Sequence, residues 1–101
     1  MAMQTDVRAS VPITADGLFT DQAANNLSRT RVKSIYIVPG GSAGSVVFKD
    51  GGSGGTTVMT INTVASATQP TYVLMPGQGV LFNTNVYADV TNIGSVTIFY
   101  G

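Results

Sequence analysis

Residues 30–41 read TRVKSIYIVPGG, and this stretch decides the class of fold. An extended strand would place its residues alternately on two faces, with Val32, Ser34, Tyr36 and Val38 on one and Arg31, Lys33, Ile35 and Ile37 on the other. The four apolar residues at 35–38 favour a central strand, or a strand covered by another subunit. Pro39, Gly40 and Gly41 then end the strand in a turn.

The same kind of pattern continues to the end of the chain. Short runs rich in β-branched residues are separated by turns of Gly, Asn, Asp and Pro, at 45–49, 56–62, 71–75, 80–82, 86–90 and 95–100. Val, Ile and Thr together make up 32 of the 101 residues, and these side chains suit a pleated sheet better than a helix. We therefore predict a single all-β domain, an antiparallel, jelly-roll-like β-sandwich over residues 30–101.

Residues 1–29 are less regular. Val7, Ala9, Val11 and Ile13 alternate with polar residues or Pro12, which predicts a strand at a sheet edge. The polar stretch at 20–29 fits a long loop, a single helical turn capped by Thr20 or Asp21, or an arm that becomes ordered on a neighbouring subunit.

The composition argues against catalysis. The chain has no His and no Cys, all five acidic residues are Asp, and only 10% of the residues are charged. A hydroxyl nucleophile needs a base, and general acid–base chemistry usually needs a second positioned group, so we predict no catalytic residue, no cofactor and no bound metal. The net charge of zero likewise gives no reason to expect nucleic acid or a membrane as a partner, and we expect no small-molecule ligand.

The Asp residues have mainly structural interpretations. Asp50 and Asp16 precede glycines and are expected to start their own turns through Asx hydrogen bonds. A calcium site formed by Asp16 and Asp21 is a weaker alternative, because no run of closely spaced acids exists. Asp89 is the only charged residue from 51 to 101, and either faces solvent or pairs with Arg29 or Arg31 across strands or subunits.

A surface so poor in charge is typical of one that becomes covered. Phe99 should lie on the face opposite Val96 and Ile98, which we place in the core together with Val58. One of these two faces then needs a partner. Our candidate interface residues are Arg29, Arg31, Lys33, Asp89 and Phe99.

Residues 31–101 resemble the small β-rich virion proteins of tailed bacteriophages, notably those of cyanobacteria and other marine bacteria. The resemblance lies in residues 31–36 (RVKSIY), 47–51 (VFKDG) with the Gly/Ser tract that follows, and 96–101 (VTIFYG). It implies a non-enzymatic capsid decoration (cement) protein, made in the host cytoplasm and carried on the virion surface.

As partners, such a protein would have its own copies, as a homo-oligomer and most simply a trimer, and the major capsid protein. The alternative is a tail or fibre module that binds host glycan through its Gly-rich loops and aromatic residues.

Overall fold

A computed structural model describes residues 7–64, 70–75 and 79–101. Within these ranges the chain has no helix, and hence no helix able to cross a membrane. The described residues form nine strands: β1 (Arg8–Ala9), β2 (Gly17–Leu18), β3 (Thr30–Pro39), β4 (Gly44–Asp50), β5 (Thr56–Thr63), β6 (Thr71–Leu74), β7 (Val80–Phe82), β8 (Tyr87–Thr91) and β9 (Ile93–Tyr100). The prediction of an all-β chain is confirmed.

The strands form two antiparallel sheets. Sheet A has the order β1-β9-β3-β6, with β7 also pairing to β3, and sheet B has the order β2-β8-β4-β5. The pairs are nested, since β4 lies beside β5, β3 beside β6 and β7, β2 beside β8, and β1 beside β9. A long hairpin folded over itself in this way is a jelly roll, so the predicted sandwich is confirmed.

One hydrophobic core fills the space between the sheets. Its largest fully buried side chains come from both sheets and from the N-terminal segment, and they are Phe19, Ile35, Ile37, Phe48, Phe82 and Ile98. The ring of Phe48 stacks on Phe19 with centroids 5.9 Å apart and meets the edge of Phe82 at 6.4 Å. Val96 and Ile98 are fully buried, as the alternation in β9 predicts.

A β-bulge at Lys33 corrects the predicted faces of β3. The pairing with β9 shifts between Val32 and Ser34, so Lys33 is an extra residue in the strand. Val32 therefore shares the buried face with Ile35 and Ile37, whereas strict alternation had placed it on the opposite face. Lys33 and Ser34 both lie on the outer face as a result.

A second bulge has the same effect in β5. The register with β4 shifts at Val58, because Phe48 pairs with Met59 while Lys49 pairs with Thr57. Val58 and Met59 consequently both pack against the core, although alternation had separated them. Val58 is only half-buried, since β5 lies at the edge of sheet B.

The N-terminal segment is attached to both sheets. Its first strand is shorter than predicted, with pairing at Arg8 and Ala9 and a single further bridge at Ile13. Ser10 is buried, and its polar groups have partners there, since its amide donates to the Ile98 carbonyl and its hydroxyl accepts from the Ile98 amide. The segment then crosses to sheet B as β2, a strand that the sequence pattern did not reveal.

Candidate interaction surface

The outer face of sheet A carries most of the exposed large apolar side chains among the described residues. We call it the A face and define it by Ser34, Tyr36, Val38, Tyr72, Leu74, Thr97 and Phe99. These side chains share one face because Tyr36 lies opposite Tyr72 and Thr97, while Ser34 lies opposite Leu74 and Phe99. The charged residues Arg31 and Lys33 lie only at one end of it, beside β7.

Three A-face side chains are clearly exposed. Leu74 is 73% exposed, Tyr72 59% and Tyr36 38%. The Tyr72 ring packs edge to face on Phe99, with centroids 6.5 Å apart and planes at 63°. Together they form a contiguous aromatic and aliphatic patch on a hydrogen-bonded sheet, the kind of surface that marks a site of contact with another molecule.

The outer face of sheet B is different in chemistry. We call it the B face; its members are mostly small and polar, and they are Ser45, Val47, Lys49, Thr57, Thr60, Asn62, Tyr87, Asp89 and Thr91. The Lys49 Nζ lies 2.9 Å from the Asp89 Oδ2 and also donates to the Ser53 carbonyl. Partial desolvation, together with the carboxylates of Asp89 and Asp16, raises the pKa of Tyr87. The charged groups of Lys49 and Asp89 therefore have partners within the chain.

The five predicted interface residues do not form one site. Phe99 belongs to the A face, and Arg31 and Lys33 lie at its end. Asp89 belongs to the opposite face of the sandwich, and its partner within the chain is Lys49 and not Arg29 or Arg31. Lys49 sits on the neighbouring strand β4, two residues beyond Val47, which lies directly opposite Asp89.

Arg29 lies in a third place. With Arg8, Asp21 and Tyr100 it lines an open depression of about 370 Å³ at the end of the sandwich near β1. Its lining includes two arginine side chains and one aspartate side chain, so the depression has no strong charge of either sign. It is an open surface feature and does not enclose a site.

Asp50 forms a clasp between two turns. Its carboxylate accepts from the backbone amides of Asn83 and Thr84 at 2.9 and 2.8 Å, in the loop between β7 and β8. In return, the Asn85 Oδ1 accepts from the amides of Gly51 and Gly52, which both have positive φ. The amide hydrogen bonds lower the pKa of Asp50. The expectation that Asp50 starts its own turn is therefore wrong.

Asp16 and Asp21 also bind backbone amides. Asp16 accepts from the Val90 amide at 2.7 Å, on the strand that pairs with β2, and not from its own turn as expected. Asp21 accepts from Ala23 and Asn25, and so closes a tight loop; of the alternatives for this stretch, the structure has the loop and not the helical turn. Among the described residues, no three metal-binding side chains of the His, Cys, Asp or Glu type come together.

Three exposed residues of the A face, Tyr36, Tyr72 and Leu74, were not predicted to share a patch with Phe99. The sequence does contain a signal for this patch, the stretch 71–74 (TYVL). Its apolar residues 72 and 74 alternate, and in the folded sheet both lie on the outer face. Recognising it requires the pairing of β6 with β3, which the sequence pattern does not give.

Comparison with known proteins found no matching protein-family model, curated protein or solved structure.

Proposed function

We propose that this chain is a non-enzymatic structural protein that acts by covering and bridging other protein surfaces, and more specifically that it decorates the capsid of a tailed bacteriophage. The observation that carries the proposal is the A face, where Tyr72 and Leu74 expose more than half of their side-chain surface on a regular sheet without a charge between them. Charge depletion with aromatic enrichment is typical of the centre of a protein–protein interface.

The carboxylates support a structural role. Asp16, Asp21 and Asp50 accept hydrogen bonds from backbone amides, and Asp89 pairs with Lys49. Each of them therefore already has a partner that stabilises the fold. A catalytic acid or base would instead direct its carboxylate toward a cleft where substrate can bind.

The assignment to a phage head rests on the resemblance of residues 31–101 to small virion proteins. The jelly roll is compatible with it, because many viral coat domains use this fold, although one fold serves many functions. In this proposal the A face rests against the major capsid protein, and many copies attached to a lattice bind far more strongly together than one copy does.

The proposal is tested on the particles made by the phage whose genome encodes this chain. Purified protein should co-sediment with heads that lack it, and Tyr72→Arg should abolish binding because it places a charge at the centre of the A face. Thr60→Arg, on the B face, is the matched control and should bind normally. Absence of the chain from purified particles, or equal binding by both variants, would refute the proposal.

A second candidate function is suggested by the aromatic residues alone. The rings of Tyr36 and Tyr72 are exposed, and rings of this kind can stack on sugars as well as on protein. In that case the chain would be a tail or fibre module that binds host glycan. A glycan array distinguishes the two, since binding that is lost in Tyr72→Ala would favour the tail module over head decoration.

A further inference from the structure

At one edge of sheet A, backbone groups of β6 have no partner among the described residues. β6 is the last strand of the sheet, and within residues 7–64, 70–75 and 79–101 it pairs with β3 alone. The Met75 amide donates to the Lys33 carbonyl at 3.0 Å, so residues 71, 73 and 75 direct their backbone groups toward β3. The N–H and C=O groups of Tyr72 and Leu74 therefore point away from the sheet.

The other described edges are protected, and β6 is protected only by its length. β1 and β2 have two residues each, β7 has three, and β5 contains the bulge at Val58, which disrupts an edge. β6 has four residues, TYVL, with no charge, no proline and no bulge. Its shortness limits the pairing to a small number of hydrogen bonds, which fits an assembly stabilised by many weak contacts.

We propose that two copies of this chain join through their β6 strands, which pair antiparallel about a two-fold axis and make one continuous sheet from both A sheets. The preferred register places Tyr72 opposite the partner's Leu74, because these residues carry the outward-pointing groups. Four backbone hydrogen bonds form, and Val73 meets the partner's Val73 at the axis.

A second copy fits this edge better than a charged partner does. A two-fold axis brings identical residues together, so a charge near the axis would repel its own copy. None of the β6 residues is charged. Lys33 lies one strand inward, on β3, so the two Lys33 strands are about 14 Å apart across three strand spacings. This distance exceeds the ~8 Å screening length in physiological salt.

This inference rests on the proposed function, because it names the contact through which copies of the structural protein associate. A contact between identical surfaces about a two-fold axis produces a dimer. We therefore propose a dimer in place of the trimer expected from the sequence. The joined A faces then present a single apolar surface that is twice as wide to the capsid.

The test uses the absence of native cysteine. Val73→Cys introduces the only thiol in the chain. Residues opposite each other in a non-hydrogen-bonded antiparallel pair have Cα atoms about 4.5 Å apart, a separation that a disulfide spans. Free protein without capsids is oxidised mildly, and the covalent dimer is followed on a non-reducing gel.

Thr60→Cys is the matched control, since it lies on the exposed edge strand of sheet B. We expect the Val73→Cys variant to form covalent dimer about ten times faster or more, because pairing raises the local thiol concentration. Adding Leu74→Lys should reduce this rate to that of the control, whereas adding Thr60→Lys should leave it unchanged. Equal rates for Val73→Cys and Thr60→Cys would overturn the inference.

Sedimentation velocity gives a second measurement that needs no cysteine. The wild-type chain should contain a concentration-dependent dimer that Leu74→Lys removes, and a trimer would contradict two-fold pairing. The two proposals can fail separately. Dimers that do not bind capsids leave the inference standing and refute the capsid role, whereas capsid binding by a chain that never dimerises refutes only the inference.

Discussion

The A face and the B face are the two outer surfaces of one sandwich, yet they have different chemistry. Both sheets contribute apolar side chains from their inner faces to the same core. On the A face, Tyr72 and Leu74 remain exposed without a described partner side chain that covers them. On the B face, the two charged side chains, Lys49 and Asp89, are partly buried and pair with each other. A fold requires only one apolar face of each sheet, so a second apolar face indicates a use beyond folding.

The largest expected effect is a difference in stability between substitutions at two neighbouring residues on opposite faces of β9. Ile98 is fully buried, so Ile98→Ala should destabilise the protein by about 2–5 kcal/mol through lost burial and a cavity. Phe99, on the A face, is only partly buried, and Phe99→Ala should cost clearly less. Urea unfolding of both variants measures the difference. Equal losses of unfolding free energy in the two variants would mean that Ile98 and Phe99 are buried to the same extent, which would contradict the assignment of the two faces.

The next effect concerns the clasp that joins a turn of sheet B to the loop that leaves β7 of sheet A. Asp50→Ala removes an acceptor for backbone amides, and we expect a loss of about 1–2 kcal/mol, similar to the loss of a helix N-cap. Thermal unfolding should remain a single transition, because both sheets share one core. Two separate transitions would show that the faces belong to independent units.

The clasp also has a pH dependence of known sign. The pKa of Asp50 is lowered in the folded protein, so its contribution to stability is present above its ordinary value of 3.8 and is lost as the pH falls through the lower folded value. The stability difference between the wild type and Asp50→Asn should therefore shrink in acid. A difference that grows as the pH falls would contradict this assignment.

A smaller effect is expected for the aromatic pair of the A face. A double-mutant cycle for Tyr72 and Phe99 should give a coupling free energy of about 0.5–1.5 kcal/mol, as expected for an edge-to-face aromatic pair. The coupling should not change with salt, because no charge is involved. A value near zero would indicate that the two rings do not pack together in solution.

The smallest effect is expected for the ion pair of the B face. The cycle for Lys49 and Asp89 should give about 0.2–1 kcal/mol, because both side chains are partly solvated. High salt should reduce this value through screening. The Lys49 variant should also lose the bond to the Ser53 carbonyl, so Asp89→Asn is the cleaner single substitution. A coupling that high salt leaves intact would contradict a solvated pair.

Local patterns predicted the strands well and their faces less well. The β-branched runs predicted β3 to β8 to within one residue at each end and the start of β9 to within two, because alternation and turn residues are local signals. Strict alternation failed at Lys33 and Val58, where each bulge adds one residue and reverses the faces on one side of it. A bulge depends on the register with a neighbouring strand, which the strand's own sequence does not specify.

The sequence by itself determined the all-β class, the turns, the buried face of β9 and a surface poor in charge, because each depends on composition or on residues close together in the chain. Only the tertiary structure decided which side chains share a surface. Asp50 meets a loop more than 30 residues away, and Asp16 meets Val90 across 74 residues. Tyr36, Tyr72 and Phe99 become one patch only when β3, β6 and β9 lie side by side. Long-range pairing sets these contacts, and no local pattern encodes it.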